Sequence, residues 1–448
     1  MGRLFGTDGV RGVANKELTV ELACKLGQAG AAALTSEVHR PKILIGKDTR
    51  VSGDMLESAL CAGVCSVGAE AVMAGILPTP GIAHLTKKYE IDAGIVISAS
   101  HNTVEYNGIK FFDGNGFKLP DAVEERIESL ILDGGAFTLP TGVDVGRCVR
   151  QKNAAEDYIE FLVSSSDVSN LKKMKVVLDC ANGAASAIAP MVFQELGAQV
   201  VSCFDEWDGS NINEMCGSTH PQRLQQLVRE HGADVGLAFD GDADRLIAVE
   251  EGGVLVDGDK IMAICAIDMK ERGVLKQNTL VTTVMSNLGL DIAMRQAGIS
   301  MVKTAVGDRY VLEEMQKNGY NLGGEQSGHI IFLDDNSTGD GILSGVRLLS
   351  VMVRKKRTLA ELAAAVKILP QVLVNAKVTN GNKDTYMDNA FVADKIREIQ
   401  AKYGDNGRVL IRPSGTEPLV RVMIEGQDKK EIEKDALELA HLIEEKLG

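Results

Sequence analysis

The apolar run Ile95–Ile97 ends in Ser98-Ala99-Ser100-His101-Asn102, and Asn107, Gly108 and Lys110 follow. A serine at a strand-to-loop turn presents its hydroxyl outward and can carry a covalent intermediate. A turn or helix-capping serine is the duller alternative. The chain has no GxSxG elbow and no Asp or His partner at protease-like spacing, so acyl transfer is not expected. A second cluster, "DGDADR", alternates Asp240, Asp242 and Asp244 behind the apolar "VGLAF". Three carboxylates brought together resist ionising without a cation between them, and hard divalent ions take such oxygen ligands. A solvated acidic turn would leave the same residues, and so would an EF-hand loop, in which Glu251 takes the twelfth position. Against the EF-hand stand Arg245, where that loop needs glycine, and "LIAVE", which continues as a strand. Three protein ligands leave coordination positions for phosphate oxygens, as Mg²⁺ prefers.

Two more clusters suit a phosphorylated sugar. In "GGEQSGH", Gly323 to His329, the residues Glu325, Ser327 and His329 alternate and would face one way on an extended segment. A carboxylate, a hydroxyl and an imidazole together suit sugar hydroxyls; a plain Gly-rich turn with a surface histidine is the alternative. In "RPSGTEPLVR", Arg412, Ser414, Gly415 and Thr416 supply a guanidinium, two hydroxyls and backbone N–H groups, a set that binds phosphate. Pro413 and Pro418 stiffen this loop. A simple hairpin turn would have no need of Arg412 and Arg421 flanking it. The chain lacks both GxxxxGK[ST] and a GxGxxG after a strand, so no nucleotide site is recognised. A protein that moves phosphate without a nucleotide donor could carry it on its own serine.

The elements that would hold these clusters follow an α/β pattern, with apolar runs bounded by glycine and polar turns alternating with helical periods. "PKILIGKDTR" reads as strand then loop, "MLESALCAGVCSVGA" as a helix, and "AGIVISASHN" as the next strand-loop. The theme returns in "KKMKVVLDCANGAAS", "ADVGLAFDGDADR", "NTLVTTVMSNLGL" and "YNLGGEQSGHIIF". The last segment differs: a strand, a helix, two strands around "RPSGTEP", then the amphipathic "KKEIEKDALELAHLIEEKL". The division expected is 1–153, 154–256, 257–369 and 370–448. The fold class is therefore α/β, with three segments of similar architecture and a smaller, different C-terminal one. Ligands of open α/β sheets bind beyond the carboxyl ends of the strands, where all four clusters fall.

Bulk properties exclude other classes. A chain of 448 residues is too long for one core. Its 62 acidic and 48 basic side chains give a formal charge of −14, which disfavours a nucleic-acid or anionic-membrane surface. No apolar run reaches membrane-spanning length. "MGRLFGTDGVRG" has no hydrophobic signal core, and Gly6 stands where myristoylation wants Ser or Thr. The eight cysteines form no CxxC pair and read as buried free thiols. A cytoplasmic protein is expected.

The four clusters, in this order over essentially the whole chain, resemble the α-D-phosphohexomutase superfamily. Within it the chain looks like the bacterial branch acting on glucosamine phosphates, on "FGTDGVRG", on "GDRYV" (Gly307 to Val311) and on Gln326 in "GGEQSGH". The resemblance implies four domains around one central cleft. Of these it implies three mixed α/β domains of similar architecture and a smaller α+β C-terminal domain. It implies interconversion of glucosamine 6-phosphate and glucosamine 1-phosphate through a bisphosphate, feeding UDP-N-acetylglucosamine and cell-wall precursor synthesis. Carried over, Ser100 is the phosphoserine, and Asp240, Asp242 and Asp244 hold Mg²⁺ together with a phosphoserine oxygen. Arg11, His101, Lys110 and His329 are candidates for charge stabilisation or proton transfer. Substrate contacts fall to Arg245, Gly307, Asp308, Glu325 and Ser327, and phosphate anchoring to Arg412, Ser414, Gly415, Thr416 and Arg421. The partners implied are a hexosamine phosphate and its bisphosphate, without nucleic acid or membrane insertion; a homodimer is left open. One departure is Thr103, where the family usually has proline after the His-Asn pair, which puts the stiffness of the catalytic loop in question. The rival readings are a phosphomannomutase/phosphoglucomutase, a metal-dependent sugar phosphatase, and a non-catalytic sugar-phosphate sensor, which would need neither Ser100 nor the triad.

Overall fold

The computed structural model describes residues 3–6, 8–34, 40–135, 137, 139–379, 382, 385–414 and 418–448. Two compact units emerge. One joins Met1–Met285 with Gly298–Ala365, the other Ser286–Ala297 with Val366–Gly448.

The first unit contains three sheets. The largest runs in the order Val10–Val13, Tyr106–Asp113, Ala93–Ile97, Lys42–Lys47, Glu70–Ile76, Cys148–Arg150. Its last four strands are parallel, and Tyr106–Asp113 is antiparallel to both neighbours. Ala93–Ile97 is buried at every position, as a parallel strand covered on both faces must be. Ile43, Ile45, Ile95 and Ile97 pack with Leu26, Leu56 and Leu60 of the covering helices. The register sets Val96 opposite Lys110 and Gly108 opposite Arg11, so three successive strands end beside the Ser98–Asn102 turn.

The second sheet orders Leu255–Val256, Leu246–Glu250, Val235–Phe239, Lys175–Asp179, Gln199–Cys203, and the third Ser300–Thr304, Thr279–Thr283, Leu322–Gly324, Ile330–Phe332. Both are mixed, since each parallel core carries an antiparallel hairpin: Val235–Phe239 with Leu246–Glu250, and Leu322–Gly324 with Ile330–Phe332. Each hairpin loop bears one of the polar clusters.

In the second unit, Gln371–Lys377, Leu419–Glu425 and Arg408–Pro413 form an antiparallel sheet. The helices Ala390–Tyr403 and Lys429–Leu447 cover it through Val392, Ile399, Ile432, Leu439 and Ile443. The helix Leu288–Gln296 belongs to this unit, tied by its capping residue. Asn287 accepts from the Gly289 and Leu369 N–H groups, both at 2.9 Å, and donates to the Leu369 carbonyl at 3.0 Å.

Among the described residues no helix is long and apolar enough to cross a membrane. All eight cysteines are unpaired. The expectation of buried thiols holds for Cys61, Cys180, Cys216 and Cys265 but fails for Cys148, which is exposed on an edge strand where only one neighbour covers it.

Asn287→Ala removes a cap and leaves both backbone groups of Leu369 unsatisfied in a buried site. The expected loss is about 2–4 kcal/mol, read as a lower urea midpoint. A midpoint equal to that of the parent protein would show that Asn287 does not hold this helix.

Candidate active site

Ser100 sits in a left-handed backbone conformation, φ 51°, which costs a non-glycine residue energy and persists only when surroundings enforce it. The enforcement is an ion pair. Asp48 and Arg50, from the loop after Lys42–Lys47, are fully buried and meet at 2.5 Å. Asp48 accepts from the Ser98 hydroxyl at 2.6 Å, and Ser98 Oγ accepts from the Ser100 N–H at 2.9 Å. Arg50 donates to the Ser100 and Asn102 carbonyls at 3.2 and 2.5 Å, and Asn213 donates to the same two at 2.8 and 2.9 Å. Two donors clamp two carbonyls of this loop, and Thr103 is exposed beyond the clamp.

The Ser100 side chain faces the acidic triad. Its hydroxyl donates to Asp240 Oδ2 at 2.6 Å and lies 3.2 Å from His101 Nδ1. Gly241, between two of the aspartates, lets the loops meet: a Cβ there would stand 2.6 Å from the Ser100 carbonyl oxygen. Asp240, Asp242 and Asp244 are buried, with ligand atoms all within 4.8 Å of one another. They follow the strand Val235–Phe239, and Leu246–Glu250 carries Glu251 away to the strand's far end, which removes the EF-hand reading.

These carboxylates fit a divalent cation. Asp242 Oδ1 and Asp244 Oδ1 are buried with no hydrogen-bond partner. Burial, then the charges of Asp244 and Asp242, push the Asp240 carboxyl well above the usual range. A cation among these oxygens would relieve both conditions.

A ring of alternating charges surrounds the triad. Lys110 donates to Asp242 at 2.8 Å and reaches Asp8 at 3.0 Å; Asp8 accepts from Lys118 at 2.6 Å; Lys118 reaches Asp308 at 2.5 Å. Asp308 lies 3.4 Å from His329 Nε2, and His329 Nδ1 lies 3.4 Å from Asp244. Burial opposes charge on Lys110, but Asp242, Asp8 and Asp244 outweigh it and raise its pKa. Burial likewise opposes ionisation of Asp244, and His329, Lys110 and Arg245 overturn that and hold it low. Burial opposes charge on the His329 ring, but Asp244 and Asp308, facing its two nitrogens, outweigh it and raise its pKa.

A cavity of ≈ 620 Å³ opens beside the triad. Arg11, His101, Arg245, Gly307, Asp308, Glu325 and His329 line it, all expected at the site, together with Asp8 and Lys118, which were not. Burial, then the cations Arg245 and Arg11, lower His101 to about 4, so it is neutral at pH 7. The "GGEQSGH" segment is not extended. Gly328, at φ 95°, turns it back, and its N–H bonds the Glu325 carbonyl at 3.0 Å. Glu325 and His329 therefore reach the cavity while Ser327 is exposed on the turn, and the common face expected for the three does not form.

The "RPSGTEP" loop lies in the second unit. Arg412 and Arg421 are direct cross-strand partners, and Ser414 is buried with its N–H on the Leu419 carbonyl at 2.8 Å. Like charges directly opposite on a sheet repel, an arrangement an anion would stabilise. Gly415 and Thr416 lie outside the described residues.

The residues the sequence reading missed at this site are Asp8, Asp48, Arg50, Thr79, Lys118 and Asn213. Thr79 donates to Asp242 at 2.6 Å. Only the "KDTR" and "TDG" strings at strand ends could have signalled any of them.

Four descriptions match the chain in sequence: phosphoglucomutase/phosphomannomutase alpha/beta/alpha domain I over residues 2–136, domain II over 156–253, domain III over 257–368, and the C-terminal domain over 373–442. A phosphoglucosamine mutase of Acetivibrio thermocellus is 60% identical over 450 residues, covering 100% of both chains. In fold, a phosphoglucomutase/phosphomannomutase family protein of Burkholderia thailandensis superposes with a TM-score of 0.81 at 24% identity, over 99% of this chain and 98% of that one. Aspergillus fumigatus N-acetylphosphoglucosamine mutase, in complex with GlcNAc-6P and magnesium, superposes with a TM-score of 0.64 at 19% identity, over 92% and 85%.

Arg50→Met strands Asp48 as an uncompensated buried charge and frees two loop carbonyls. A loss of about 3–5 kcal/mol is expected, with unfolding at lower denaturant. Unchanged stability would mean that Asp48 is not held charged by Arg50.

Proposed function

The chain belongs to the phosphoglucomutase/phosphomannomutase family, and on that premise we propose that it acts as a phosphoglucosamine mutase, interconverting glucosamine 6-phosphate and glucosamine 1-phosphate. The observation that carries the mechanism is the Ser100 hydroxyl held on a buried carboxylate triad beside a cavity whose lining includes Arg11, Lys118 and Arg245. Ser100 is the phosphorylated residue. Its Oγ–P bond breaks as a sugar hydroxyl takes the phosphoryl group, giving a bisphosphate, and the hydroxyl proton passes to Ser100 Oγ or to a neighbouring base. The bisphosphate turns end for end, and Ser100 takes back the other phosphoryl group. His101, neutral and 3.2 Å from Oγ, is placed to accept a proton. Lys110 and Arg11 offset charge on the group in transfer, and His329 stands against Asp244 on the other side.

Asp240, Asp242 and Asp244 would hold Mg²⁺, which when bound offsets charge on the phosphoserine oxygens. Arg245, Gly307, Asp308, Glu325 and Ser327 are read as the sugar-binding set. Arg412, Ser414, Gly415, Thr416 and Arg421 are read as the anchor for the phosphate not in transfer. Residues 1–153, 154–256, 257–369 and 370–448 are read as the four domains, a division supported by four separate sheets. A cytoplasmic place in amino-sugar and cell-wall precursor synthesis goes with this activity. Turnover compared among glucosamine, glucose and mannose phosphates separates it from phosphomannomutase/phosphoglucomutase. Recovery of free phosphate in place of the isomer would mark a phosphatase.

Purified protein should carry phosphate on Ser100 by peptide mass mapping, and Ser100→Ala should abolish isomerisation while leaving the fold intact. Phosphate on Ser98 would move the assignment. Excess chelator should silence the enzyme, and Asp242→Asn should cut turnover severely; full activity in chelator would remove the metal from the mechanism. Because the bisphosphate presents both of its ends to the anchor, Arg412→Ala should raise KM in both directions alike. The cost is on the order of 1.5–3 kcal/mol, roughly one to two decades, with more bisphosphate escaping. A rise in one direction only would show that the anchor is not shared.

A further inference from the structure

Lys118 belongs to none of the four clusters, yet it closes the charge ring. It follows the tight turn after Tyr106–Asp113. Asp113 Oδ1 accepts from the Asn115 and Phe117 N–H groups at 2.9 Å each, Asp113 N–H donates to the Phe117 carbonyl at 2.8 Å, and Ser337 donates to the Gly116 carbonyl. The Lys118 backbone is thus fixed by the sheet it leaves. Its ammonium, mostly buried, spans Asp8 Oδ1 at 2.6 Å and Asp308 Oδ2 at 2.5 Å.

Each of those carboxylates has a second duty. Asp8 Oδ2 pairs with Lys110 at 3.0 Å and with Arg11. Asp308, in the first turn of the helix Asp308–Asn318, meets His329. The next residue, Arg309, reaches back past Lys118 to the Leu119 carbonyl at 3.0 Å and Glu124 at 3.2 Å. The "GDR" turn therefore grips the segment Lys118–Glu124 at two points, and Lys118 is the point that faces the cavity. Without that ammonium, two carboxylates would face each other across the cavity wall and push apart.

We propose that Lys118 is a positioning residue for phosphoryl transfer: by tying Asp8 to Asp308 it aims Lys110 and Arg11 from one side and His329 from the other at the same reacting group. It acts through the two carboxylates. The proposal rests on the reading that the cavity binds a sugar phosphate, and its tests separate the two.

The experiment uses the full chain with Mg²⁺ and compares Lys118→Met, Lys118→Arg, Asp308→Asn and the Lys118→Met/Asp308→Asn double variant. Lys118→Met should lower kcat by roughly 10²-fold in both directions, with KM changed far less. Lys118→Arg, which keeps a cation able to span two carboxylates, should recover most of the loss. In the Asp308→Asn background, Lys118→Met should cost less than about threefold more, because interacting residues are not additive. Multiplying losses, or an unchanged kcat in Lys118→Met, would overturn the proposal. A second readout needs no turnover: ¹⁵N shifts of the His329 ring should move in Lys118→Met and return in Lys118→Arg. An unmoved ring would also overturn it. If Lys118→Met fails to fold by circular dichroism, Lys118→Gln takes its place in both readouts. If the parent protein isomerises no sugar phosphate, the functional reading fails, and the His329 shifts still decide whether Lys118 positions this wall.

Discussion

Three carboxylates buried within 4.8 Å of one another cannot all be ionised unless cations meet them. Much of the surrounding architecture answers that constraint. Lys110 meets Asp242, Arg245 approaches Asp244, His329 brings its Nδ1 to Asp244, and two triad oxygens stay without hydrogen bonds where a divalent ion fits. Those cations then need counter-charges of their own, which Asp8 and Asp308 supply. Lys118 is shared between them, so the charges close on themselves.

The second support is mechanical. A serine at φ 51° must be held there, and the holding groups, Asp48, Arg50 and Asn213, come from other loops. The strain lies in the backbone under the reacting hydroxyl, so Oγ points at the triad before any ligand arrives. Pre-orientation of this kind suits phosphoryl transfer, in which position and charge matter more than covalent participation by many groups.

What could be read from the residues alone was what is local in sequence. Asp240, Asp242 and Asp244 lie on one turn, so alternation behind an apolar strand was enough to find them. The serine turn Ser98–Asn102 was visible for the same reason, but only the family resemblance singled out Ser100 within it. The ring was not, because its links join Asp8 to Lys118 and Lys118 to Asp308, and no spacing rule relates residues that far apart. The "GGEQSGH" segment was misjudged because alternation implies a shared face only if the backbone is extended. Gly328 instead takes a positive φ and splits Ser327 from its neighbours. The α/β class was legible from period and punctuation. The two antiparallel hairpins that carry the acidic and Gly-rich loops appear only once strand order is known.

The pairing of Val10–Val13 with Tyr106–Asp113 bears on how the molecule is made. Among the described residues the strand that leads Asp8 and Arg11 to the cavity pairs with one other strand, which is not finished until residue 113. At roughly 5–20 residues per second, this early segment waits on the order of ten seconds for a place in the sheet. Asn213, the triad and His329 come later still. Asp48 and Arg50 are already made when Ser100 is, but Asn213 and Asp240 are not, so the nascent chain carries the serine turn only half clamped until residue 240 has been translated.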